Sequence, residues 1–347
     1  MSLFSAELHR ITRRRVAKGA VGIAGVGIVA AGALTFMTHS NAAPDLVAAQ
    51  AAADQNTVEC LRSYAADAYG MSASEIDTAC VSDPAWFVND QNFYLQSLLT
   101  GGGTNQSFDQ ARDQAFARTS YPEIGEESNA YGFASTLAGV GVLVALGAAM
   151  LGATLVGADW RSGVIESQLV RQPNRQRLFA AKFGAIALTT GLSSAVFAGL
   201  LAAAMVPAAL WRGSTANTGV DFWLEVASMA GRIGLASAVL AVIGGAIAMT
   251  ARNTAAGVGV GLFAFIAGGI VGAMEGSWTP FVAVPKNLGA WIAKGDVSWT
   301  FIQESNGSSN WYEVMGYSWL GAGLLLITVM TVMTFIGAST FVRRDVS

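Results

Sequence analysis

The stretch SNAYGFASTLAGVGVLVALGAAMLGATLVGA, residues 128–158, runs without a single Asp, Glu, Lys or Arg. A helix crossing about 30 Å of hydrocarbon needs roughly 20 apolar residues, because each adds about 1.5 Å and every backbone amide must be bonded inside the segment. This stretch suffices. So do five others that also lack charge: 19–44, 183–211, 233–251, 253–274 and 314–342. They predict spans near 16–37, 131–156, 183–208, 233–251, 254–274 and 318–341. The fourth and fifth are separated only by Ala251, Arg252 and Asn253, which demands a tight helical hairpin.

Composition agrees. Of 347 residues, 53% are hydrophobic and 12% charged, with mean hydropathy +0.46, whereas soluble chains carry about 25% charged residues. Disorder, collagen and a water-soluble enzyme fold are excluded together. The expected fold is an all-α membrane protein with six transmembrane helices. Ahead of the first span, Leu3, Phe4, Leu8 and Ile11 recur at helical spacing, which predicts a short helix lying in the membrane interface.

Lys and Arg near span ends stay on the cytoplasmic side. With an inside N-terminus, the cytoplasmic pieces hold Arg10, Arg13, Arg14, Arg15, Lys18, Arg161, Arg171, Arg175, Arg177, Lys182, Arg252, Arg343 and Arg344. Their acidic residues are Glu7, Asp159, Glu166 and Asp345, leaving 19 of the 23 acidic groups outside. Both termini are therefore expected inside a multi-pass protein of the plasma membrane, in a bacterial cell. A competing reading takes Arg13-Arg14-Arg15 and the run to Ser40-Asn41-Ala42-Ala43 as a twin-arginine export signal with a cleavage site; cleavage would leave five spans and spoil the charge agreement.

Three units follow: 1–37, the interfacial helix and first span; 38–130, an acidic external domain; and 131–347, the remaining spans with a cytoplasmic loop at 159–182. The external unit carries 13 acidic groups against Arg62, Arg112 and Arg118. It reads as mainly helical, from the Ala-rich run 46–69, the capping pair Ser72 and Glu75, and Asp83-Pro84 at a helix start; glycines 101–103 break the chain before another helix from Ser107. Trp86, Phe87, Phe93 and Tyr94 are candidates for a core or for a ligand surface, with the core reading favoured. The only cysteines, Cys60 and Cys80, lie in this unit, and an oxidising location favours their pairing. In the second external loop, 275–317, Trp278, Trp291, Trp299 and Trp311 read as an interfacial belt.

Several chemistries lack sequence support. No Gly-x-x-x-x-Gly-Lys-[Ser/Thr] loop is present to cradle phosphate, and His9 and His39 sit in no ligand cluster, so no catalytic residue, metal site or cofactor of the chain's own is expected. No nucleic-acid partner is expected. Carboxylates are missing from the predicted spans, against an intramembrane proton or ion relay. Arg232, seven residues after Glu225, falls on the same helix face and is read as a structural pair. Glycines at Gly22, Gly25 and Gly27, and at Gly257, Gly259 and Gly261, are read as sites of close helix approach.

The most informative stretch is the loop Asp159-Trp160-Arg161-Ser162-Gly163-Val164-Ile165-Glu166-Ser167-Gln168-Leu169-Val170-Arg171-Gln172-Pro173-Asn174-Arg175-Gln176-Arg177, running on to Lys182. It reads as a short amphipathic helix starting after Gly163 and stopping before Pro173, then a basic turn into the third span. Here the chain resembles the permease subunits of type-2 ABC transporters. In that family the loop reads acidic-x-Arg-x-Gly-Thr, a Leu-containing helix, then Pro-x-Arg-x-Arg and a Lys entering span three. Asp159, Arg161, Gly163, Leu169, Pro173, Arg175, Arg177 and Lys182 fall in those places, and Val164 stands where the family has Thr. The resemblance extends to the interfacial helix, the six spans, the Arg252-Asn253 hairpin and Arg343-Arg344-Asp345, but not to residues 38–130. It implies an ATP-driven exporter whose segment 163–172, with Glu166, is a coupling helix docking on a separate ATP-binding subunit. That subunit would carry ATP and Mg, and a second permease chain, identical or homologous, would pair with this one among the membrane lipids. A reading from another class is a non-transporting receptor or scaffold presenting the acidic domain.

Overall fold

The computed structural model describes residues 3–42, 45–66, 80, 82, 92–95, 97–100, 136–171, 174–215, 218–273, 283–295, 297–305 and 308–343. In chain order these form α1 (Leu3–Arg13), α2 (Arg15–Thr38), α3 (Leu46–Ala66), β1 (Phe93–Tyr94), α4 (Ser97–Thr100), α5 (Thr136–Arg161), α6 (Val164–Arg171) and α7 (Arg175–Arg212). Then come β2 (Gly213–Ser214), α8 (Val220–Ala251), α9 (Thr254–Ala273), α10 (Val284–Ala293), β3 (Val297–Ser305), β4 (Ser308–Tyr317) and α11 (Trp319–Arg343). The expectations at Ser72, Glu75, Asp83, Pro84, Trp86, Phe87, 101–103, Ser107, Pro173 and Trp278 lie outside the described residues.

Five of the described helices, α2, α5, α7, α8 and α11, are long and apolar enough to cross a membrane; α9 is a further apolar helix of 20 residues. α7, at 38 residues, is about 57 Å long at 1.5 Å per residue and therefore overshoots a 30 Å hydrocarbon layer. α8 begins at Val220 rather than near 233, so it carries Glu225 and Arg232 as helical residues. Most apolar side chains of α2 point outward: none of its residues is buried, and Ile23 is 77% exposed, while Ala31 and Phe36 pack against the bundle. Water would penalise that surface, whereas hydrocarbon would not.

α5 and α8 pack almost backbone to backbone. A Cβ built on Gly152 would land on the carbonyl of Ala241, and one on Gly244 would land on the carbonyl of Ala149. Only glycine permits this approach, the means by which helices associate where the solvent is itself apolar. Among the glycines read from sequence, Gly257 is packed, with Ala153 Cβ 2.8 Å from where its own Cβ would stand. Gly22, Gly25, Gly27, Gly259 and Gly261 have nothing within 4 Å. The close approaches are made by other small residues.

Ala251, Arg252 and Asn253 form the tight α8–α9 connection. Arg252 adopts φ 52, a left-handed cap, and Asn253 Oδ1 accepts from the Ala255 amide at 2.9 Å. Because α1, α6 and this connection share one end of the bundle, the other end carries α10, β1 and β2. At that far end Arg232, 6% exposed, donates to Ile292 O at 2.7 Å, Ser228 Oγ at 2.6 Å and Glu225 Oε1 at 2.8 Å, while Lys294 Nζ donates to Glu225 Oε2 at 2.9 Å. The pair is structural, and it ties α10 to α8.

Two strand pairs depart from the all-α expectation: β1 pairs in parallel with β2 over two residues, and the longer pair is β3 with β4. β3 and β4 form an antiparallel hairpin from Ser305 opposite Ser308 out to Val297 opposite Tyr317. Asn306-Gly307, the two residues between the strands, is the strongest short-range hairpin signal a sequence offers.

Candidate functional site

α1 carries Leu3, Glu7 and Ile11 at helical spacing, so an acidic residue interrupts an otherwise apolar stripe, and Arg14 follows at the junction with α2. That face lies against α7, and Glu7 is only 3% exposed. Beneath it, the last turn of α5 presents Asp159, 1% exposed, and the second turn of α7 presents Lys182, 3% exposed. Asp159 accepts from three cations: Arg10, Arg14 and Lys182. Glu7 Oε2 lies 3.5 Å from Arg10 and 3.8 Å from Lys182, and Glu7 Oε1 accepts from Gln168 Nε2 at 2.5 Å. Arg14 also donates to the carbonyl of Leu155 at 3.0 Å.

Burying ions is costly unless each is paired and hydrogen-bonded. Here two carboxylates, Glu7 of α1 and Asp159 of α5, face three cations, Arg10 of α1, Arg14 just after it and Lys182 of α7, so the arrangement holds only while these elements stay together. α6 joins it through Gln168 and through Ile165, 1% exposed, with Leu169 packed behind on the same core. Ile165 and Leu169 are one turn apart, hence on one face. The opposite face is open: Glu166, Ser167 and Val170 are exposed, Val170 at 86%.

The loop residues singled out from sequence divide accordingly. Arg161 donates to Thr254 Oγ1 at 3.2 Å, reaching the start of α9. Gly163 adopts φ +67, the left-handed conformation that glycine accepts without steric cost, and so turns α5 into α6. Arg175 Nη1 donates to the carbonyls of Phe341 and Val342, each at 3.3 Å, in the last turn of α11, where no intrahelical amide is available. Asn174 caps α7 by accepting from the Arg177 amide at 3.1 Å. Asp159, Arg161, Leu169, Arg175 and Lys182 thus bind the loop to the bundle, while Glu166 and Arg177 face outward. Trp160 packs in the same region: Arg252 lies 4.8 Å from its ring centroid, and its Nε1 donates to Met249 Sδ at 3.1 Å.

Sequence reasoning missed Glu7, Arg10, Arg14 and Gln168 as members of this cluster. For Glu7 the signal was present, as charge at an apolar-stripe position of α1. The paired cysteines are as expected: Cys60 and Cys80 form a disulfide with Cα atoms 5.5 Å apart.

The fold and this site define a largely helical protein suited to a membrane, with a short surface helix strapped beneath its longest helices. The chain belongs to the family described as protein of unknown function (DUF2705), matched over residues 104–347. The match takes in α5 through α11 and leaves α1, α2 and the disulfide outside it. No curated protein and no solved structure matches the chain.

Proposed function

We propose that this chain is the permease subunit of an ATP-driven ABC exporter, with six spans, both termini in the cytoplasm, and α6 as the helix that docks on a separate ATP-binding subunit. The observation that carries the reading is the two-sided build of α6. Its inner face is fixed to α1, α5 and α7 by Gln168, Ile165 and Leu169, and its outer face offers Glu166 and Val170 to a partner. A force applied to that outer face reaches the helices of the bundle through the ion cluster, which is the physical content of coupling between a nucleotide site and a bistable membrane element. The one-sided distribution of Lys and Arg supports the orientation. A second permease chain completes the path, and the plasma membrane of a bacterium is the proposed location.

The test is purification of the tagged chain in mild detergent, with and without Glu166→Arg and Val170→Asp. Both substitutions sit on the open face, so insertion and melting temperature stay unchanged while co-purification of an ATPase and ATP-dependent export fall. Full co-purification and full export in both variants overturn the docking surface.

A further inference from the structure

The hairpin of β3 and β4 is rooted where a span begins. At its base Val297, 3% exposed, shares a small core with Ala290 of α10 and Ala322 of α11, and the Tyr317 hydroxyl donates to Asn287 Oδ1. Only Ser318 separates β4 from α11, one of the helices long and apolar enough to cross a membrane. Trp291 and Trp319 lie beside this base with ring centroids 5.5 Å apart, and Leu320 and Leu324, 54% and 66% exposed, open the apolar surface of α11 just beyond it. No third strand pairs with the hairpin among the described residues. A two-stranded ribbon on its own is marginal at best in water, so this one needs a cover that is always present.

The register sorts the hairpin into two unlike faces, because residues opposite each other in an antiparallel pair share a face and neighbours along a strand alternate. Trp299 stands opposite Val314 and Phe301 opposite Tyr312, so these four share one face, which continues toward the tip with Gln303 opposite Asn310. The other face takes Thr300 opposite Glu313, Ile302 opposite Trp311 and Glu304 opposite Ser309. Trp299 and Trp311 therefore fall on different faces and cannot both enter one interfacial belt. The first face carries no charge, and its aromatic residues are gathered at the base; the second carries two carboxylates. We infer that Trp299, Phe301, Tyr312 and Val314 are seated in the headgroup region of the lipid leaflet around the start of α11, with the acidic face toward water. Lipid is the cover that a ribbon rooted at the end of a span always meets. Trp and Tyr, apolar rings with a polar handle, are the residues favoured at that depth. Glu313 keeps the second face out, since a carboxylate is costly to bring among lipid chains. Beyond Phe301 the first face turns to amides and hydroxyls, so the tip leaves the leaflet. The inference needs α11 in a membrane and does not rest on the permease reading.

Neighbouring residues on opposite faces supply the test. Cys60 and Cys80 are the only cysteines and are bonded to each other, so an introduced cysteine is the one free thiol. Phe301→Cys and Thr300→Cys are each labelled with a nitrobenzoxadiazole fluorophore in the full chain, reconstituted in vesicles of phosphatidylcholine and phosphatidylglycerol. Tyr312→Cys and Glu313→Cys repeat the comparison on the other strand, so that no single variant that disturbs the hairpin decides the result. At 301 and 312 the emission is expected to be blue-shifted, quenched several-fold more than at 300 and 313 by a nitroxide-bearing lipid, and quenched several-fold less by iodide present on both sides of the bilayer. Equal quenching of the two faces overturns the seat. Protection of 301 and 312 from both quenchers overturns it as well, and puts a protein, a second copy of this chain or another partner, on that face. ATP and cargo are absent from the experiment, so its failure leaves the permease reading standing, and failure of that reading leaves this result unchanged.

Discussion

Gln168 donates its side-chain amide to the carboxylate of Glu7 at 2.5 Å across 161 positions of chain. The apolar contacts of Ile165 and Leu169 press α6 against the bundle but leave it free to slide, whereas a directional hydrogen bond to a buried carboxylate fixes its register against α1. The first helix of the protein therefore sets the position of the surface helix.

Gln168→Ala leaves a buried carboxylate oxygen short of a donor, which costs on the order of 1–3 kcal/mol. The expected result is a lower melting temperature in detergent and faster proteolysis within α1, both read against wild type by size-exclusion chromatography after heating. An unchanged melting temperature with unchanged proteolysis shows that α6 is held by packing alone.

Asp159→Asn removes the carboxylate that accepts from Arg10, Arg14 and Lys182, leaving Glu7 as the cluster's remaining anion. Breaking one side of a buried ion network costs roughly 3–5 kcal/mol because the partner charges stay buried. Lys182→Met on its own is damaging too, but combining it with Asp159→Asn costs less than the sum, since the two side chains share one interaction. A double-mutant cycle on melting temperature measures this; additive effects show that the contact carries no coupling energy.

Gly163→Ala places a side chain at φ +67 with open space around it, Glu166 Oε2 being 3.9 Å from the built Cβ. The penalty is therefore conformational rather than a clash, about 1 kcal/mol, and a small loss of thermal stability is expected. Gly163→Pro is a much harsher change, because proline holds φ near −65° and cannot make the turn. Comparison of the two by melting temperature checks the assignment; equal losses contradict a purely conformational cost for alanine.

The ends of the long helices were legible because charge marks them: α2, α9 and α11 begin and end within a residue or two of the spans read from charge-free tracts. α8 was read short at its start because Arg232 interrupts the apolar run, yet that arginine is buried by satisfying Ile292, Ser228 and Glu225, partners that sequence order does not announce. The same limit applies to Asp159. Its place in the loop motif was visible, but two of the cations on it, Arg10 of α1 and Arg14 just after α1, are brought near only by the packing of α1 on α7. Loop motifs show which residues are special; tertiary contact decides whether they face a partner or hold the loop in place.

Burial pushes the Tyr317 phenol above its ordinary value of about 10, partly opposed by its 2.6 Å hydrogen bond to Asn287 Oδ1. A raised folded value means that the fold prefers the neutral phenol. Its contribution is full below the unfolded value and is lost as pH rises through the folded one. The melting difference between wild type and Tyr317→Phe is thus expected to stay constant through neutral pH and to shrink above about pH 10. A difference unchanged up to pH 11 contradicts the assignment.

Cys60, on α3, bonds Cys80 and closes a loop of 20 residues, which the chain-entropy model values at about 3 kcal/mol. The bond does not act alone. Ser82 donates its amide to Thr57 Oγ1 at 3.2 Å, and Asn56 Nδ2 donates to Ser82 Oγ at 2.7 Å, so the chain just past Cys80 is stitched along the same helix. The disulfide and these hydrogen bonds fasten the same two segments, so each supports the other. Cys60→Ser with Cys80→Ser is therefore expected to loosen the external unit, seen as faster cleavage near residue 82, while α5 through α11 stay inserted. Intact-mass analysis after alkylation of the unreduced, denatured wild-type protein checks the bond itself: no alkyl group is expected on either cysteine, and two alkyl groups would rule the bond out.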